Sequence, residues 1–370
     1  MRIGILTFHR GNNYGGILQC YALQQVLKSM NHEVEIIDYK NTGCSSLLSR
    51  LYAKYSTSKS AADFVATIKD LFLRKRSESF DAENNRKSIQ VFDAFRAKYL
   101  TISQPLDAKT IGEYANAHYN LIITGSDQVW TSLFDSPLAY MIDWQPLYTG
   151  KRMSYAACSA FDWVHGKQKK VLNECLNRFD ILTVRDTTTQ RLVQHITGKN
   201  PQIVPDPSLL YAYEEFVTND EREPYILTYV LGDEIEGGHH SALLKIKKKV
   251  GDIPVYSIII PCNSRDITQY ADKVFEYLSP NQWVDLFAHA SYVYTDSFHA
   301  IMFSLKFQKP FAAYYRNKIR SSRLIDLKNR GLKTIYSCVD DMDDNIQIFH
   351  ESLLKGTFDL RECLSSKDCL

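Results

Sequence analysis

The chain has 370 residues, 45% hydrophobic and 23% charged, the balance of a folded globular protein and not of a disordered one. Its formal net charge of +2 comes from interspersed acids and bases, so no basic surface marks a nucleic-acid binder. No apolar run approaches the roughly 20 residues that cross a bilayer, and a length beyond the roughly 250 residues of one large core points to two domains.

From the N-terminus, "RIGILTF" is a β-rich run, "GGILQCYALQQVLKSM" carries apolar residues at helical spacing, and "EVEIIDY" is a second strand. This order of strand, Gly/Asn-rich turn, helix and strand implies a parallel sheet. The opening apolar run is too short for a secretion signal. Residues 45–100 are charged and Ser-rich with spaced Leu and Phe, and predict a helical insertion or lid. Strands resume at "YNLIITG", "RMSYAAC", "FDILTVRD" and "QIVPDP", with helices over 166–178 and 187–197. A charged stretch ending at Pro224 reads as a domain junction. Beyond it come "YILTYVL", a helix at 241–250, "PVYSIII", a helix at 281–290, "SYVYT", a helix at 298–306 and "PFAAYY".

The fold class is therefore α/β, with two Rossmann-like lobes facing a central cleft, 1–220 and 221–335. A C-terminal segment, 336–370, contains "NIQIFHESLL", a helix expected to pack back across the lobes. Ligands of such sheets sit beyond the carboxyl ends of the strands. The eight cysteines form no CxxC pair and mostly lie in apolar segments, so free thiols in a reducing cytoplasm are expected.

Five stretches carry residues suited to chemistry. In "YVYTDSFHAIMFS" a strand turns sharply into a helix, with Asp296 or Ser297 as N-cap and His299 on the first helical turn. The helix amides favour an anion there and resist a proton on the imidazole. A bound dianion would restore that proton, which suits an acid armed by its own substrate. The plainer alternative is a histidine used as a turn residue. In "FHRGNNYGG", Gly15 and Gly16 let backbone approach a ligand while Asn12 and Tyr14 grip hydroxyls, unless the loop is only a tight turn. "GSDQVW" offers Ser126, Asp127 and Gln128 for hydroxyls and Trp130 for a pyranose face, or else is a capped helix start. Arg185 in "TVRDTTTQRL" stands at a strand end, where it can clamp an anion or pair with a neighbouring acid. Arg316, Lys318, Arg320 and Arg323 follow "PFAAYY" and together would hold a multiply charged small anion; a solvated charged face is the other reading. No metal site is expected, because His239-His240 reads as a surface loop without a third ligand.

In chain order, "NNYGGILQCYALQQVL", "EVEIIDY", "GSDQVW", "SYAACSAF", "TVRDTTTQRLV", "VPDPSLL", "YILTYVLG" and "AHASYVYTDSFHAIMFSLKFQKPF" resemble the polysaccharide pyruvyl transferase family over about residues 1–330. The resemblance implies a GT-B-like fold. It also implies transfer of the pyruvyl unit of phosphoenolpyruvate onto two hydroxyls of a sugar in a cell-surface or exopolysaccharide precursor, giving a ketal and phosphate. The family's histidine falls on His299 and its strand-end arginine on Arg185; Asp127 is the candidate base for the hydroxyls. Ser297, Phe298, Lys318, Arg320 and Arg323 are then donor-side residues. Asn12, Tyr14, Gly15, Gly16, Ser126, Gln128 and Trp130 are acceptor-side. Phosphoenolpyruvate is a co-substrate and no cofactor is implied. The acceptor is a sugar or a lipid-linked oligosaccharide, the latter bringing the chain to a membrane surface without a spanning segment. Members carry "SRLHG" where this chain has "DSFHA", so Ser297 replaces an arginine and Ala300 a glycine. An arginine from 316–323 would then have to supply the missing cation. The alternatives are a GT-B nucleotide-sugar glycosyltransferase, a non-catalytic glycan- or anion-binding relative, and a thiol hydrolase using Cys158 or Cys262.

Overall fold

The computed structural model describes residues 1–40, 47–66, 82–131, 138–232, 234–259, 266–316, 321–343 and 359–365. Strands β1 (Arg2–Leu6), β2 (Glu33–Ile36), β3 (Leu121–Thr124), β4 (Lys151–Ala157), β5 (Ile181–Val184) and β6 (Gln202–Ile203) form one sheet in the order β2-β1-β3-β4-β5-β6. Every pairing in it is parallel. β7 (Ile226–Tyr229), β8 (Val255–Ile259), β9 (Lys273–Glu276), β10 (Tyr292–Thr295), β11 (Phe311–Tyr314) and β12 (Ile335–Tyr336) form the second, in the order β12-β11-β10-β7-β8-β9. It too is parallel throughout. Central strands such as β3, β7 and β10 are buried on both faces, which is why their sequences are unbroken apolar runs without alternation.

Both sheets reverse strand order at a switch point, between β1 and β3 in the first and between β7 and β10 in the second. The loops leaving those strands on opposite sides open a crevice at their carboxyl ends. In the second lobe Asp296 ties that crevice shut, its carboxylate accepting from the amides of Leu231 and Gly232 at 2.7 Å each.

Helix α1 (Tyr14–Ser29) starts at Asn13, whose side chain accepts from the Gly16 amide. It is buried nearly all round because it serves two lobes. One face covers the first sheet, and the other meets α8 (Pro280–His289) and α9 (Phe298–Lys306) of the second lobe. The Tyr14 ring stacks on Trp283 at 5.5 Å, and its hydroxyl donates to the Leu278 carbonyl at 2.9 Å. One apolar core therefore runs from Ile3 and Leu23 through to Phe287 and Phe303.

In the 45–100 region, α2 (Leu47–Thr57) and α3 (Ala82–Tyr99) are helical as expected. Helix α3 is built into the core and is no detachable lid: Phe92 packs on Tyr14 at 4.9 Å, and Arg96 donates to the carbonyls of His9 and Gly11. The predicted helix "NIQIFHESLL" lies outside the described residues. Further along, Leu360 and Leu364 join the core, and Arg361 donates to Ser29 at the end of α1. His239 corrects the surface-loop expectation. It opens α7 (His239–Val250) fully buried, its Nδ1 on the Tyr294 hydroxyl at 2.9 Å. The Tyr294 and Tyr314 rings beside it supply apolar cover.

Candidate active site between the lobes

Arg185 follows β5 directly and is buried, while its equally buried neighbour Asp186 caps α6 (Thr187–Thr197). The guanidinium is 3% exposed. Its Nη1 donates to Asp206 at 2.7 Å and to Ser126 at 3.4 Å, and Nη2 donates to Asp127 at 3.3 Å. Asp206 is fixed in turn by Ser208, whose amide and hydroxyl donate to its Oδ1 at 3.0 and 2.8 Å. Asp127 sits just past β3 in the left-handed region, φ 70°, a strained conformation of the kind that clusters at functional sites.

The second lobe completes the cluster. Ser297 caps α9 through the Ala300 amide, which places Phe298 and His299 on the first turn. The Phe298 ring lies under two guanidiniums, Arg185 at 4.5 Å and Arg323 at 5.4 Å. Arg323, on α10 (Ser322–Asn329), reaches across to within 3.9 Å of Asp127. Asp326 of the same helix bonds the amide and hydroxyl of Thr187, so α10 spans the lobes at two points. His299 Nε2 lies 3.9 Å from Asp206 Oδ2, beyond hydrogen-bond reach, and has no partner among the described residues. The imidazole is held from the other lobe by Gly15, where any methyl would fall 2.0 Å from its Cγ.

Two guanidiniums face two carboxylates, so the protonation of His299 sets the sign of the cluster. Burial lowers the His299 pKa, Asp206 and Asp127 pull it up, and Arg185 and Arg323 push it down; the net direction is down. The free enzyme thus holds a neutral imidazole. Burial alone would raise Asp127, but Arg185, the His299 imidazole once protonated in the acid range where Asp127 titrates, and Arg323 hold it at about 2. Asp206 is likewise lowered, burial being outweighed first by Arg185.

Several expectations need correction. At about 2, Asp127 is too acidic to serve well as a base for hydroxyls; it anchors the guanidiniums. Trp130 is fully buried, its Nε1 donating to the Tyr140 carbonyl at 3.2 Å, and offers no face to a sugar. Tyr14 belongs to the seam between the lobes. Ser126 is buried and donates to Ala156 and Asp206. Gly15 packs against His299, whereas Gly16 lines a cavity beside the cluster. Asn12 and Gln128 are half-buried on the adjoining loops. Lys318, Arg320 and Cys262 lie outside the described residues. Arg316 is exposed and pairs with Glu236 at 3.1 Å. Cys158 is no nucleophile, because burial and the neighbouring Asp186 push its thiol up to about 12. Asp206 is the central residue that the motifs did not single out. Its signal was an acid at a strand end in "VPDP". Among the described residues, no group of three or more His, Cys, Asp or Glu could hold a metal ion.

The protein assigned as a UDP-N-acetylglucosamine 2-epimerase from Listeria monocytogenes is similar in structure, at TM-score 0.50 and 11% identity over 92% of this chain and 85% of that one. The likeness is one of fold and fits the two-lobed GT-B-like arrangement. Neisseria meningitidis UDP-GlcNAc 2-epimerase aligns at TM-score 0.45 and 9% identity, over 92% of this chain and 88% of that one. An E. coli heptosyltransferase aligns at 0.39 and 13%, over 86% and 89%. No curated protein matches the chain in sequence. The profile of the polysaccharide pyruvyl transferase family matches residues 13–318, a span that holds Asp127, Arg185, Asp206 and His299. The chain belongs to the polysaccharide pyruvyl transferase family and is a transferase.

Proposed function

We propose that the protein transfers the pyruvyl unit of phosphoenolpyruvate onto two hydroxyls of a sugar in a polysaccharide precursor, releasing phosphate in the cytoplasm. One observation carries the reading: a buried, unpartnered imidazole nitrogen at a helix N-terminus, beside two guanidiniums. His299, once protonated, gives its proton to the donor's methylene carbon. The adjacent carbon becomes oxocarbenium-like, and the first sugar hydroxyl attacks it. Phosphate leaves with that hydroxyl's proton. The second hydroxyl closes the ketal and returns its proton to His299.

The donor brings a phosphate of roughly −1.5 to −2 charge as well as a carboxylate. Helix amides after Ser297 supply about half a positive charge. Arg323, more loosely paired than Arg185 and about a quarter exposed, supplies the guanidinium that the family's arginine gives at the Ser297 position.

Incubation with phosphoenolpyruvate and an acceptor glycan should release inorganic phosphate without any nucleotide sugar; no release under those conditions removes this donor. Because the donor must raise a lowered His299 pKa, binding takes up a proton. The apparent donor KM should therefore rise with pH above 7, by up to about tenfold per unit. A flat profile would remove His299 from the proton count.

Gly15→Ala forces the imidazole aside or parts the lobes, since Nδ1 would lie only 2.1 Å from the new carbon. Turnover should fall about tenfold, through loss of the acid's alignment. Wild-type turnover in that variant would show that the contact is not functional.

A further inference from the structure

We propose that the cavity beyond the carboxyl ends of β1 and β3 seats one neutral pyranose of the acceptor, with Phe8, Tyr39 and Tyr140 as its apolar wall. The inference rests on the ketal-forming reading above and locates the acceptor within it. The cavity holds about 360 Å³, within the range of small-molecule sites, and its size suits one sugar ring with its linkage. It lies at the switch point of the first sheet, where open α/β sheets take their ligands.

Its lining has the make-up of a sugar site. The rings of Phe8 and Tyr140 meet edge-to-face at 5.0 Å, and those of Tyr39 and Tyr140 at 6.4 Å. Aromatic faces pack against the C–H surface of a pyranose, while Asn13 and Arg10 also line the cavity and can meet hydroxyls. The charges there cancel. Arg10 donates to Asp38 through Nε at 2.5 Å and also through Nη2. His9 contacts Asp38 at 3.0 Å through one ring nitrogen and the Thr7 carbonyl at 3.2 Å through the other. Among the described lining residues Arg10 is paired with Asp38, and Asp127 is paired with Arg185, so no unpaired cation is left there to attract a trianion and the cavity suits the sugar and not the donor.

Asp127 joins this cavity to the His299 cluster. Its Oδ1 faces Arg185 and Arg323, whereas Oδ2 lies on the side of Gly16, 3.7 Å from where a Gly16 Cβ would stand. A hydroxyl pair hydrogen-bonded at Oδ2 is thereby presented one residue away from Gly15, the residue on which His299 rests.

The test uses a panel of methyl hexopyranosides, with binding read by saturation-transfer NMR in the absence of phosphoenolpyruvate and turnover read by phosphate release. Tyr140→Ala should raise both the Kd of the bound glycoside and the acceptor KM about tenfold, leaving the donor KM unchanged. Tyr140→Phe keeps the ring and should recover most of the affinity that Tyr140→Ala loses. Phe8→Ala, at a half-buried ring, gives the same readout if Tyr140→Ala does not fold. An unaltered acceptor KM in both alanine variants overturns the assignment, as does a panel in which nothing binds. Binding that is lost in Tyr140→Ala, while wild type releases no phosphate, supports the pocket and instead removes the donor assignment.

Discussion

His299→Ala is expected to lower the phosphate-release rate by about 10²–10⁴-fold while leaving the fold intact. The imidazole is the one titratable group of the cluster, among the described residues, whose protonation changes readily near neutral pH. Asp127 is held ionised at about 2, and guanidiniums do not give up protons in this range. Removing the ring leaves Arg185 and its two carboxylates in place, so donor affinity above pH 7 should change less than the rate. A non-catalytic glycan binder has no turnover to lose and would show no such split. Turnover within threefold of wild type would mean that the proton comes from elsewhere.

The second large effect is on stability. Asp206→Ala removes a carboxylate with no exposure from a guanidinium that is 3% exposed. It strips the cation of its shortest bond, at 2.7 Å, and leaves Asp127 at 3.3 Å as its charged partner and the Ser126 hydroxyl at 3.4 Å. Breaking a buried pair on one side costs about 3–5 kcal/mol, because the remaining charge keeps its desolvation penalty. The loss should be visible as a lower urea midpoint with an unchanged slope. Asp206→Asn keeps an acceptor for the Ser208 amide and should cost less. An Asp206→Ala midpoint equal to wild type would show that Asp127 and Ser126 suffice for Arg185.

Much of the architecture was legible because buried parallel strands and amphipathic helices write themselves as apolar runs and periodicities. The helix at 298–306 and its His299 were read at their observed positions. Strand β9 escaped because it is an exposed edge bearing Lys273 and Glu276, with no apolar run to announce it. Helix α10 read only as a charge run, since its charged residues include Arg323 and Asp326, which reach the other lobe, and only Leu324, Asp326 and Leu327 are buried. The site was half legible. Motifs gave Arg185, Asp127 and His299, each at a strand end or helix start. Asp206, which pairs with Arg185 and stands 3.9 Å from His299, becomes visible only when residues 80 positions apart, such as Ser126 and Asp206, meet in space. Trp130 and Tyr14 misled because polar neighbours in sequence do not reveal that other segments cover both rings.

Helix α1 hangs from one sheet yet is clothed by the other, so neither half of this molecule is a portable module. A gene rearrangement that exchanged the second half for a distant cousin's would set a foreign surface against Tyr14 and Gly15, where Trp283 and His299 now pack. Exchange of one half alone is therefore expected to cost the fit at this seam, whereas changes confined to surface loops leave that fit untouched.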